Sequence, residues 1–140
     1  MVTARAYLFG KGVSQEEVRR RLASANPGSL VQVAREGAVD NEVLVEMLAA
    51  QTFRAEESGG MLAKKPEMDL LLRLAGTTQI SRAIKTQGAL AGEGFLAINA
   101  NRRRISAPSE FSEAELPRKP LTEAELSRIE RAALLNVQRA

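Results

Sequence analysis

The spacing of apolar residues changes several times along the chain, and each change marks an element. Ala4–Phe9 reads as a short strand ending at Gly10. Ser14-Gln15-Glu16-Glu17 is a capping box. It predicts a helix to about Ala25, with Val18 and Leu22 inward and the arginines outward. Asn26-Pro27-Gly28 breaks that helix, and the β-branched run Leu30–Ala34 predicts a second strand. Asp40 reads as the N-cap of a helix reaching about Glu57, with Val43, Leu44, Met47, Leu48, Gln51 and Ala55 on its inner face. Ser58-Gly59-Gly60 stops it.

The densest apolar stretch follows. Pro66 suits the first turn of a helix that runs to Ala75 and stops at Gly76. Met68, Leu71, Leu72 and Ala75 fall at helical spacing, and Leu70 and Leu74 widen the stripe, so this helix is expected to be buried on most sides. A second helix, capped by either Thr77 or Thr78, runs to Gly88 with Ile80, Ala83, Ile84 and Gln87 inward. Phe95–Ala100 reads as a third strand, and Ile105 fits a fourth strand or a loop. Residues 101–121 form a polar, proline-bearing connector with room for one helical turn at Ser112–Leu116. Thr122-Glu123-Ala124-Glu125 is another capping box, and it opens a long C-terminal helix to about Arg139. The expected fold class is α/β (α+β): one domain over 1–140, a small mixed β-sheet packed with several helices.

Composition narrows the chemistry. The 140 residues are 44% hydrophobic and 26% charged, which supports one soluble domain with a real core. No apolar run is long enough for a membrane span, and no leader is read at the N-terminus, so a cytoplasmic location is expected. The chain has no His and no Cys. Cysteine or histidine metal sites, thiol nucleophiles and Ser-His-Asp triads are therefore excluded, and neither a metal nor a cofactor is expected. Glu67 sits in the first turn of its helix, where a carboxylate favours the macrodipole and needs no catalytic role. The formal net charge of +3 permits an anionic partner. Aromatics are only 4%, too few for a surface that stacks many bases on rings.

Glu67–Gly88 resembles the signature of a known family. Glu67, Leu71, Leu72, Leu74, Gly76, Thr77, Gln79, Ile80, Ala83, Ile84 and Gly88 match the central segment of the small kinase-binding subunit of the KEOPS complex, the TPRKB or PRPK-binding-protein family. A weaker pattern extends from about Leu30 to Ala100. Two departures stand out: Thr78 occupies a position that is basic in many members, and the His many members carry after the second strand is missing. The resemblance implies an α/β subunit without catalysis of its own, in a complex that installs threonylcarbamoyl on the adenosine next to the anticodon of certain tRNAs. It implies docking on a PRPK-type kinase, capture of the tRNA 3′ CCA end, and an archaeal source.

Residue chemistry gives these roles addresses. Thr78, Arg82 and Lys85 on the helix after Gly76, with Lys64 and Lys65 ahead of the preceding helix, could meet phosphates if they converge. Gln79 carries an amide able to read a base edge. On the C-terminal helix, Leu126, Ile129, Ala133, Leu134 and Val137 make an apolar sector broad enough for the chain's own core and a kinase. The alternative is a small-molecule-sensing α/β regulatory domain with no RNA role. It requires a pocket with convergent polar groups.

Overall fold

The computed structural model describes residues 1–139. Its centre is strand β3 (Phe95–Asn101), buried from Phe95 to Ala100. On either side lie β1 (Thr3–Phe9) and β2 (Leu30–Arg35), in the order β1-β3-β2. Both outer strands pair antiparallel with β3, in registers that place Ala6 and Gln32 opposite Ile98. The sheet read as mixed is thus antiparallel in both pairings. β1 and β2 do run the same way, and the last strand of the sequence is inserted between them.

The twofold alternation of a strand divides the core into two layers. On one face Tyr7, Val31, Val33, Phe95 and Ala97 meet Val18 and Leu22 of helix α1 (Gln15–Ala25) and Phe111. Phe111 belongs to a short 3-10 helix at Ser109–Ala114, a few residues earlier than the expected turn because Pro108 starts it. On the other face Ala4, Ala6, Ala34, Leu96, Ile98 and Ala100 support α2 (Glu42–Ser58), α3 (Pro66–Ala75) and α5 (Glu123–Arg139). The short helix α4 (Ile80–Gln87) lies against α3 and the edge of β2.

Each outer strand is met at one point of its outer edge. Leu116 N–H donates to Ala6 O at 2.8 Å along β1, and Ala34 bridges to Gly88 along β2.

Several expected boundaries stand. Ser14 accepts from Glu17 N–H, and Thr122 and Glu125 form a reciprocal capping box. Gly59 and Gly76 terminate their helices at φ of 76° and 70°, a left-handed backbone that glycine adopts without steric penalty. Four readings change. Gln79, not Thr77 or Thr78, stands at the N-cap of α4, which begins at Ile80. Asn41, not Asp40, caps α2. Its oxygen accepts from Val43 N–H, while its amide donates to Lys119 O and Glu125, a dual role that Asp cannot fill. The inner face of α2 is rotated: Val45, Ala49, Thr52 and Phe53 are buried, and Met47 is exposed. In α4 only Ala83 is fully buried, whereas Ile80 and Ile84 are 47% and 50% exposed. This eight-residue helix sits at the rim of the domain and turns one small residue inward.

Glu42, at the start of α2, is buried under β1. Its carboxylate accepts from Ala6 N–H at 3.0 Å and from Arg118 at 3.3 Å. Burial pushes its pKa up to about 7, against the backbone N–H of Ala6 and with the push of neighbouring Glu115. A carboxyl raised in the fold holds its proton more tightly there than in the unfolded chain. Its contribution is therefore complete below its ordinary value of 4.5 and is lost as pH rises to about 7. Relative to Glu42→Gln, the wild-type protein should lose about 1–3 kcal/mol of stability across that window. Denaturant midpoints measured from pH 4.5 to 7.5 check this, and parallel curves would contradict it.

Candidate functional site

The segment between α2 and α3 builds one side of a wide cleft. Gly59 turns the chain out of α2, and Met61, Leu62, Ala63, Lys64 and Lys65 lead into Pro66. With Met68 of α3, Glu56 of α2 and Ile80 of α4, they line an open cleft of about 710 Å³. Its floor is apolar: two methionines, Leu62, Ala63 and Ile80. Methionine is unbranched and polarisable, so it conforms to flat or irregular ligands. The exposed ammonium-bearing side chains of Lys64 and Lys65 supply the charge, opposed by the carboxylate of Glu56. A cleft of this kind suits a ligand with apolar or aromatic faces and anionic groups.

A buried polar network holds its wall. Asp69 and Arg73, one turn apart in α3, form an ion pair at 2.7 Å with both side chains out of solvent. Asp69 also accepts from Thr52 Oγ1 at 2.6 Å and from Leu62 N–H at 2.9 Å. Arg73 donates to Ala132 O at 3.0 Å and to Asn136 at 3.1 Å, both on α5. The pair thus joins α2, the cleft segment, α3 and α5. Gln32 reaches from the sheet to Glu67 O at 2.8 Å and fixes the start of α3.

The structure brings some of the expected RNA residues together and separates others. Lys64 and Lys65 line the cleft. Thr78 and Gln79 are exposed on the turn just before Ile80. Gln79 N–H donates to Thr77 Oγ1 at 3.1 Å, and its side chain makes no capping bond. Arg82 and Lys85 are exposed but line no part of the cleft. At about 100° per residue they lie roughly 140–160° around α4 from Ile80, on its outer side. Glu67 is a half-buried first-turn residue of α3. The cleft itself escaped sequence reasoning. Met61, Leu62 and Met68 carry no motif, and Ile80 reads from its spacing as an inward residue, although Asp69 and Arg73 at i, i+4 inside an apolar run are a signal of a buried pair.

On α5 the outer face is clear. Leu126, Leu134 and Val137 are 48%, 56% and 70% exposed, and Ala133 is exposed beside them. Ile129 differs: it is half-buried and packs on the core. Ala132 and Leu135 are the residues of this helix that seal it inside.

No protein-family model matches the chain. Among curated proteins, it is 32% identical over 128 residues to a protein of Pyrococcus abyssi (strain GE5 / Orsay) named KEOPS complex subunit Cgi121. The aligned stretch spans 88% of this chain and 72% of that relative. No helix among the described residues is long and apolar enough to cross a membrane.

Proposed function

Because the chain belongs to the Cgi121 family of KEOPS complex subunits, we propose that it is a non-catalytic adaptor that holds the 3′ CCA end of tRNA in the α2–α3 cleft and docks on a PRPK-type kinase through α5. The observation that carries the RNA half is the pairing of an apolar floor with two adjacent exposed cations on one rim. A single-stranded end offers unstacked base faces to Met61, Met68 and Ile80, and phosphates to Lys64 and Lys65. Gln79, on the turn leading into Ile80, is near enough in sequence to meet a base edge. Thr78 is exposed on the same turn. Arg82 and Lys85 on the outer side of α4 would meet RNA only beyond the cleft. The mechanism is positioning: a tRNA held by its end is kept at high effective concentration beside the modifying subunit.

The test compares intact tRNA with tRNA trimmed of its CCA, at two salt concentrations. Intact tRNA should bind more tightly, and its binding should weaken with salt. Equal binding of both, or none of either, would sink the reading. The cleft volume also falls within the range of small-molecule sites, which is what the regulatory-domain alternative needs. That alternative gains ground only if a free nucleotide raises the melting temperature while trimmed and intact tRNA bind alike.

The kinase half rests on the unpartnered apolar stripe Leu126–Ala133–Leu134–Val137. Leu134→Glu should leave the melting temperature within about 2 °C of wild type, as expected of an exposed site. It should also abolish co-purification with the kinase. Ile129, which faces the core, is the internal control: Ile129→Glu should destabilise the domain whether or not a kinase is present. A complex that survives Leu134→Glu and Val137→Glu together would remove α5 as the interface.

A further inference from the structure

Beyond the cleft, the turn after β3 carries Arg102, Arg103 and Arg104. The first is fully engaged. It donates to Glu56 at 2.8 Å, to Glu57 at 3.1 Å and to Phe53 O at 3.2 Å, and its guanidinium lies 4.7 Å from the centre of the Phe53 ring. Arg102 therefore clamps the turn to the end of α2 and offsets part of the negative charge of the two acids there. The far end of the turn is fixed just as firmly. Ser106 N–H donates to Asn26 Oδ1 at 2.8 Å, and Asn26 returns a bond to Ser106 O at 2.9 Å. Asn26 is buried and is itself held by Asn99 at 2.9 Å.

Between these anchors, Arg103 and Arg104 are exposed and have no ion pair or side-chain hydrogen bond among the described residues. Other arginines nearby are spent: Arg20 on Glu17, Arg21 on Glu110. A tightly pinned turn that presents two adjacent unpaired guanidiniums is preorganised for phosphate, since little loop entropy remains to be lost on binding. Its location is specific. Glu56, which receives Arg102, also lines the cleft with Lys64 and Lys65, so one anchor of this turn is a residue of the cleft itself.

We propose that Arg103 and Arg104 form a second anchor for the same RNA, gripping the phosphate backbone beyond the nucleotides in the cleft. The proposal rests on the end-capture reading above and extends the footprint from a single-stranded end to the adjoining stem. Arginine suits this role because its planar fork takes two phosphate oxygens without reading a base. Arg102, shared between Glu56 and Glu57, lessens the repulsion that those acids would otherwise present to the backbone there.

The experiment uses the full chain and a double variant, Arg103→Ala with Arg104→Ala. Two ligands are titrated from low to high salt: intact tRNA, and a four-nucleotide single strand ending in CCA. With tRNA the variant should bind roughly tenfold or more weakly at low salt, and its salt slope should flatten by about 1.4–1.8, the value for two lost phosphate contacts. With the short strand, variant and wild type should be indistinguishable. Arg103→Lys with Arg104→Lys should restore most of the slope, because point charges still displace counterions. An unchanged slope on tRNA overturns the second anchor. So does an equal loss on both ligands, which would place the arginines at the end-binding site itself. Wild-type binding that ignores removal of CCA overturns the end-capture reading and the anchor with it. A wild type that discriminates, beside a variant that binds tRNA normally, removes the anchor alone.

Discussion

Asp69→Ala should lower the unfolding free energy by about 3–5 kcal/mol in urea titrations, enough to unfold a marginal domain outright. The carboxylate is fully buried and serves four donors at once: Thr52 Oγ1, Leu62 N–H and two nitrogens of Arg73. Removing it strands the Arg73 guanidinium, itself only 2% exposed, with two acceptors on α5 and no countercharge. An isolated buried cation is far more costly than a missing pair. Replacing both partners, Asp69→Leu with Arg73→Met, should therefore recover much of the loss. Asp69→Asn should fall between, since the amide still accepts but carries no charge. The variant has a second consequence. Leu62 N–H loses its partner, so the wall from Met61 to Lys65 loosens even where the domain survives. A loss below about 1 kcal/mol for Asp69→Ala would mean that the pair is dispensable.

That network also marks where sequence reading stops. Element ends were legible because they are local chemistry: Ser14 and Thr122 bond their own first turns, and Gly59 and Gly76 occupy left-handed backbone. The α+β class followed from the same signals. What escaped is what depends on partners distant in sequence. Nothing near Phe95 says that this last strand enters between the first two. Asp40 and Asn41 are equivalent as local caps, and only the contact of Asn41 with Lys119, 78 residues away, selects between them. The stripe Ile80–Ala83–Ile84 has helical spacing whichever way it faces. Its outward half is decided by how little of α4 the domain covers. For the candidate site, the basic pair Lys64-Lys65 was legible as charge, but the cleft beside it is assembled from α2, a connecting segment, α3 and one residue of α4. Arg82 and Lys85, grouped with that pair by sequence proximity, lie on the far side of their helix.

Charge reversal at Lys64 and Lys65 together should weaken binding of intact tRNA on the order of a hundredfold. A charge-assisted hydrogen bond is worth about tenfold in affinity, and two are lost. Two further signatures separate direct phosphate contact from a general loss of positive charge. First, the neutral variant Lys64→Ala with Lys65→Ala should flatten the salt slope by about 1.4, the amount for two single-strand phosphates. Second, the loss should be nearly as large on a short strand ending in CCA as on intact tRNA, because the lysines line the cleft proposed to hold that end. Reversing Arg82 and Lys85 instead changes the same formal charge on the outer side of α4. A long-range field would respond alike to both pairs, since only distance and salt screen it. A contact made in the cleft responds only to Lys64 and Lys65. Equal losses from the two reversals would assign the lysines to steering and leave the end of the RNA to another surface. A large loss confined to Lys64 and Lys65, with unchanged unfolding midpoints, places the phosphates of the bound end against the segment that Asp69 holds in position.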